Sequence, residues 1–444
     1  MSALENTKAA LARITAHDGQ VNAFTTVLAE RALAQAARVD AQGLTGPLAG
    51  QPFAAKNLFD LKGIPTRSGS KIRRTAPPAT ADATLVARLE AAGMVCVGAL
   101  NMDEFAYGFT TENSHDGACH NPHDLTRIAG GSSGGSGAAV AAGMVPVSLG
   151  TDTNGSIRVP ASLCGIFGLK PTYGRLPRSG ATLFVAALDH VGPFARDVAT
   201  LAAVYDALQG ADAADPAQVP MPVDPVLPGM GAGLGGLRIG KLGGWFDGPQ
   251  TPAARTAVAA VARALGASGT AIWAEAEATR AAAFLITSSE GAGFRLPELR
   301  ERLEDFEPLI QDRLLAGALL PAAWIFHAQR VRAMGKASMA AVQADWDILI
   351  APATPTPATP IGQEMLTMEG VTMPLRPSMG LYTQPISAIG LPVLTVPLQN
   401  ADGVLPIGVQ LIGRPFQEAT LFRAARVLEQ LGICAAPVAP AFAG

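Results

Sequence analysis

Charge is scarce in this chain. Asp, Glu, Lys and Arg make up 16% of its 444 residues, and the formal net charge is −3. A balance so close to neutral gives no electrostatic case for nucleic acid, whose phosphates call for basic patches. Aromatic residues are few, at 5%, which disfavours a pocket built for aryl ligands. No run of 18 or more apolar residues occurs, so neither a transmembrane helix nor a membrane partner is expected. The four cysteines, Cys96, Cys119, Cys164 and Cys434, lack C-x-x-C spacing, which argues against a zinc site and a disulfide framework. Met1 to Asp40 mixes charges throughout, so no signal peptide is expected and the cytoplasm is the default compartment. What the chain does have is apolar content (49%), 48 glycines and 34 prolines. Such a composition builds a large core with many turns, not a disordered segment.

The glycines concentrate in residues 129–170. Gly130-Gly131-Ser132-Ser133-Gly134-Gly135-Ser136 leads into a stretch of small and apolar residues from Ala138 to Leu149, and Gly150-Thr151-Asp152-Thr153-Asn154-Gly155-Ser156-Ile157-Arg158 follows. Glycine lets backbone amides approach a ligand, and a Gly/Ser loop feeding an Ala-rich helix places amides at a positive helix end. A phosphate site is disfavoured, because no lysine follows the glycines as in G-x-x-x-x-G-K-[ST]. A flexible linker has the same composition, but the apolar flanks point to a buried loop. A serine nucleophile needs a base. None of the six histidines, His17, His115, His120, His123, His190 and His327, stands in a triad context, and no G-x-S-x-G elbow surrounds Ser156. Lys56 ends the apolar run Pro52-Phe53-Ala54-Ala55. A buried lysine loses proton affinity, and lowering its pKa from about 10.4 to near 7 takes roughly 4–5 kcal/mol.

Lys56, the GGSSGGS run at 130–136 and GTDTNGSIRVPAS at 150–162 together resemble the amidase signature family. The likeness is close over about residues 50–200 and looser over the rest. It implies one α/β domain over residues 1–444, a large mixed sheet sandwiched between helices, and a Ser–cisSer–Lys triad. Ser156 is then the nucleophile, Ser132 the bridging serine on a cis peptide bond, and Lys56 the base. The backbone N–H groups of Thr153, Asn154, Gly155 and Ser156 form the oxyanion hole. Ser133, Asp152 and Arg158 hold the loop from behind. Many family members carry glycine where this chain has Asn154, so an added amide is expected near the site.

The implied reaction is hydrolysis of an amide through an acyl-enzyme with release of ammonia, and no cofactor or metal is needed. The run 151–180 resembles most the branch that hydrolyses 1-carboxybiuret in bacterial s-triazine breakdown. A homodimeric core and a small partner subunit, like the third subunit of tRNA amidotransferases, come with that branch. Tyr107, Gly131, Asn154, Thr383 and Gln384 are the candidate substrate contacts. Arg178 and Arg313 are both open as the cation for a substrate carboxylate. Two other readings stand beside this one: the glutamine-hydrolysing subunit of a tRNA-dependent amidotransferase, and a catalytically silent binding protein.

Along the chain, residues 3–40 read as helical around an extended piece at 21–27, and 51–57 as a buried strand. Residues 67–71 read as a polar surface patch. Residues 81–92 and 94–99 read as helix then strand. Asp103 and Glu104 read as a helix cap and internal ion pair. A metal at His115, His120 and His123 is disfavoured for want of further ligands. Residues 211–236 read as a loop excursion whose G-x-G-x-x-G match is fortuitous, with no strand before it. Residues 252–267 and 279–345 read as helices, and 346–351, 393–397 and 407–412 as strands, before a last helix at 417–432.

Overall fold

The structure is a computed structural model that describes residues 2–399 and 405–443. An eleven-stranded mixed sheet forms its centre. In chain order the strands are β1 Phe24–Val27, β2 Pro52–Lys56, β3 Val95–Leu100, β4 Val147–Asp152, β5 Phe167–Lys170, β6 His190–Ala195, β7 Ile239–Leu242, β8 Thr270–Ala271, β9 Ile348–Pro352, β10 Val393–Leu398 and β11 Ile407–Gly413. Across the sheet they run β1-β3-β2-β4-β6-β5-β10-β11-β9-β7-β8. β2 lies parallel to both β3 and β4. β7 is parallel to β8 and β9, and the other neighbours are antiparallel. Every residue of β2, β3, β4 and β6 is buried. A strand covered on both faces needs no alternation, which is why PFAAK and VCVGAL read as continuous small and apolar runs.

The amino-terminal reading holds. Helices Ala3–Val21 and Ala29–Gln42 flank β1, and Ser2 and Glu5 close a capping box on the first. The stretch Ala138–Leu149 is divided: its helix, Gly134–Ala141, ends early, and β4 starts at Val147. Gly143 takes φ +66° there, a conformation that favours glycine, and the residue before Pro146 is biased away from helix. The long helical tract divides too, into Ala276–Glu301, Pro308–Ala318 and Ala322–Val342. Pro308 opens the second and Pro321 caps the third, as suits a residue that lacks an N–H.

Two local expectations are corrected, the second in part. Of the polar patch at 67–71, only Lys71 is exposed; Ser68 and Ser70 are buried. Asp103 stands at the N-cap position of the short helical turn Glu104–Ala106 without a side-chain capping bond, while the internal ion pair expected there does form, with Arg376. Residues 211–236 contain no helix or strand. Among the described residues no single helix is long and apolar enough to cross a membrane.

Candidate active site

β2 and β4 are parallel neighbours, so their carboxyl ends share one edge of the sheet, where open α/β sheets bring loops and chemistry together. Lys56 ends β2, and Thr151 and Asp152 end β4. Lys56 Nζ donates to Thr151 Oγ1 at 2.9 Å and to Ser132 Oγ at 2.7 Å. Ser132 follows a cis peptide bond from Gly131. The neighbouring Ser133 hydroxyl donates to the Thr151 carbonyl at 3.1 Å and accepts from its N–H at 3.3 Å. The Gly/Ser loop is thus stitched to the end of β4.

The loop after β4 is held from behind by a buried ion pair. Arg158 Nε donates to Asp152 Oδ2 and Nη2 to Asp152 Oδ1, both at 2.9 Å, and both side chains are fully buried. The same guanidinium reaches the Thr383 carbonyl at 3.0 Å, Gln410 Oε1 at 2.7 Å and Ser387 Oγ. Asp152 also accepts from the N–H of Ile157. A charge pair satisfied on so many sides contributes geometry more than net stability. Gly155 is required on steric grounds: it takes φ +142°, and a Cβ there would run into the Thr383 hydroxyl.

The backbone N–H groups of Thr153, Asn154, Gly155 and Ser156 find no acceptor among the described residues, although all four residues are buried. Buried donors without partners are rare and costly, and a row of them is a cradle for negative charge. Ser156 Oγ likewise has no hydrogen-bond partner among the described residues. Burial brings Lys56 down to about 7, although the nearby carboxylates Asp103, Asp189 and Asp152 favour its charged form. Burial works to raise Asp152, but Arg158 holds its carboxyl well below the usual range. Burial pushes Asp189 up to about 6. That carboxylate accepts from the Thr153 hydroxyl at 2.5 Å and from the N–H groups of Phe184 and Val185.

Ser156 opens on a recess lined also by Tyr107, Thr153, Asn154, Thr287, Arg313 and Gln384. The recess is narrow, about 20 Å³. A second cavity of about 490 Å³, lined by Glu112, Leu309, Glu364 and Arg376, shares Phe284 and Arg313 with it. Arg313 makes no ion pair among the described residues; its guanidinium lies over the Tyr107 ring, 3.8 Å from the centroid. Arg178, the other cation considered, is committed to Asp215 and to the carbonyls of Ala186 and Asp189. Arg376 pairs with Asp103 at 3.2 Å, with its Nε and Nη1 buried and unpartnered.

Of the expected substrate contacts, Tyr107, Asn154 and Gln384 line the recess and Gly131 and Thr383 do not. Thr383 spends its hydroxyl on the Asn154 carbonyl, and Gly131 packs against Asp103 and the Thr110 backbone. Sequence reading missed Thr151, Asp189 and Thr287. Thr151 and Asp189 carry a signal, as polar residues inside the matched motifs; Thr287 sits on an ordinary helix and carries none. Among the described residues no three His, Cys, Asp or Glu side chains gather to hold a metal. His115 faces Glu104, while His120 and His123 meet backbone carbonyls.

A cradle of free amides beside an unpartnered serine, with a buried lysine behind a second serine, is the arrangement of an amide-cleaving enzyme. The family model for amidases matches residues 5–422, and the chain belongs to the amidase family, hydrolases of linear amide C–N bonds. Within it, the chain is 55% identical to AtzE, the 1-carboxybiuret hydrolase subunit of Pseudomonas sp. (strain ADP), over 97% of this chain and 96% of that one. It is 42% identical to a glutamyl-tRNA(Gln) amidotransferase subunit of Anaeromyxobacter sp. (strain K), over 99% and 95% of the two chains. A solved structure of an s-triazine catabolic enzyme, described as part of a vestigial protein complex, superposes with a TM-score of 0.96 at 55% identity, covering 98% of this chain and 96% of that one.

Proposed function

We propose that this chain hydrolyses a small anionic acylurea, 1-carboxybiuret, and releases ammonia. The observation that carries the mechanism is the row of unpartnered N–H groups at 153–156 flanking Ser156. Ser156 Oγ attacks the terminal carbamoyl carbon. Its proton passes to Ser132 as the Ser132 proton passes to neutral Lys56, and the N–H row stabilises the tetrahedral oxyanion. The proton returns to the leaving nitrogen and ammonia departs, which leaves a carbamate ester on Ser156. Water attacks that ester by the same relay and frees the serine. A lysine with pKa about 7 is matched to both halves, since it is neither firmly protonated nor too weak a base near neutrality.

Arg313 is the cation for the substrate carboxylate, because Arg178 is already neutralised by Asp215. The relative at 55% identity favours the same substrate. Leu319, which follows the helix Pro308–Ala318, and Trp324, Phe326 and Met334 on the helix Ala322–Val342 are exposed and suit a face covered by a further chain such as a small subunit. The experiment is ammonia release from 1-carboxybiuret, biuret and glutamine, with the chain alone and with a co-expressed small subunit. Selective release from 1-carboxybiuret, lost in Ser156→Ala, is the expected result. Release chiefly from glutamine moves the chain to the amidotransferase reading, and undiminished activity in Ser156→Ala refutes the mechanism.

A further inference from the structure

Asn154 combines three observations that the hydrolytic mechanism does not use. The residue is nearly wholly buried, at 6% exposure. Its Nδ2 donates to Thr287 Oγ1 at 2.9 Å, across to the helix Ala276–Glu301. Its Oδ1 is buried with no partner, on a residue that lines the recess two positions before Ser156. The backbone is pinned as well, since the Asn154 carbonyl accepts from the Thr383 hydroxyl at 2.7 Å. Thr287 occupies one Nδ2 hydrogen, and the oxygen is the amide atom left with no partner. An orphaned buried acceptor is costly to leave unpaired, and it is matched by a ligand that brings an N–H donor.

The donor's chemistry follows from its place. A carbonyl lying in the N–H row at 153–156 carries its leaving nitrogen on one side and the rest of the acyl chain on the other. In a carbon-chain amide the next atom is a methylene. In an acylurea it is an N–H, neutral and directed sideways from the chain. We propose that Asn154 Oδ1 accepts this N–H and so selects acylureas over carbon-chain amides. The inference rests on Ser156 being the attacking group. A site built to hydrogen-bond a substrate N–H discriminates strongly against the analogue that lacks it, because the buried acceptor is then left unpaired.

The test compares 1-carboxybiuret with glutaramate, which has the same length and charge but methylenes in place of both N–H groups and of the central carbonyl. The readouts are the Kd values of the two ligands in the Ser156→Ala background, where neither is turned over and no oxyanion forms. Adding Asn154→Ala weakens 1-carboxybiuret binding at least tenfold and leaves glutaramate within threefold. In Asn154→Asp the acceptor is kept and charge is added equally against both ligands, so the ratio between them stays within threefold of its value in Ser156→Ala alone. An equal loss on both ligands in Asn154→Ala, or no loss on 1-carboxybiuret, overturns the proposal. So does a ratio in Asn154→Asp that collapses to the alanine value, since the amide nitrogen would then be the group in use. Ser156→Ala is the separate control: activity surviving there refutes the site itself, whatever the Asn154 variants do.

Discussion

Replacing Lys56 with methionine is expected to abolish turnover and to make the protein more stable at neutral pH. Lys56 is wholly buried, and its pKa falls from 10.5 to about 7. Between those two values the unfolded chain holds a proton that the folded chain does not. Stability therefore rises with pH across that window, and the lysine's cost is greatest at pH 7 and below. Taken at 1.36 kcal/mol per unit, that cost is about 4 kcal/mol at pH 7 and about 3 kcal/mol at pH 8, fading towards zero near pH 10.5. Methionine fills similar space without a charge. Against the gain, the hydroxyls of Ser132 and Thr151 lose the amine, at about 1 kcal/mol each. The net is a stabilisation of about 2 kcal/mol at pH 7, about 1 kcal/mol at pH 8 and nothing by about pH 9. The assay is urea unfolding of both proteins at these three pH values; the difference between them cancels the titrating groups that do not sense Lys56. A variant less stable than wild type at pH 7, or a difference independent of pH, would falsify the assignment of Lys56 as a buried amine poised near neutrality.

Three further outcomes follow from the same geometry. In the wild type, kcat/KM for a neutral amide falls about tenfold per pH unit below about pH 7, as Lys56 takes up the proton that disables it as a base; a flat profile from pH 5 to 8 removes Lys56 from that role. Arg313→Gln raises KM for 1-carboxybiuret at least tenfold and leaves kcat within a few-fold, the pattern of lost uniform binding, and an unchanged KM shows that the carboxylate lies elsewhere. Arg158→Met leaves Asp152 buried without its partner and costs about 3–5 kcal/mol. Adding Asp152→Asn recovers part of that loss, whereas simple additivity in the double variant, read by urea unfolding, argues that the two side chains act independently.

The parts of the site legible in the sequence are those that lie close together along the chain. The cradle at 153–156, the glycine at 155, and the Asp152 and Arg158 that grip the loop fall within a single short motif, where backbone conformation and spacing are local properties. Buried strands such as β2 were legible for a similar reason, since continuous small and apolar residues mark a strand covered on both faces. β4 escaped notice because the Ala-rich helix before it is equally apolar, and only the turn at Gly143 separates them. Whether Arg178 or Arg313 is free could not be read at all, because both are arginines among mixed neighbours and their availability depends on which carboxylates the fold brings near.

By itself, the sequence determined the family, the buried α/β sheet and the residues able to form a serine–lysine relay, because a short motif of glycines, hydroxyls and one paired charge encodes its own loop. Only the tertiary structure decided which of these groups meet. It set Lys56 on Ser132 across 76 residues of chain, Asn154 on Thr287 across 133 and Arg376 on Asp103 across 273. It also decided which polar atoms were left without partners. Burial and an unsatisfied donor or acceptor are properties of what surrounds a side chain, and those surroundings exist only once distant segments have packed.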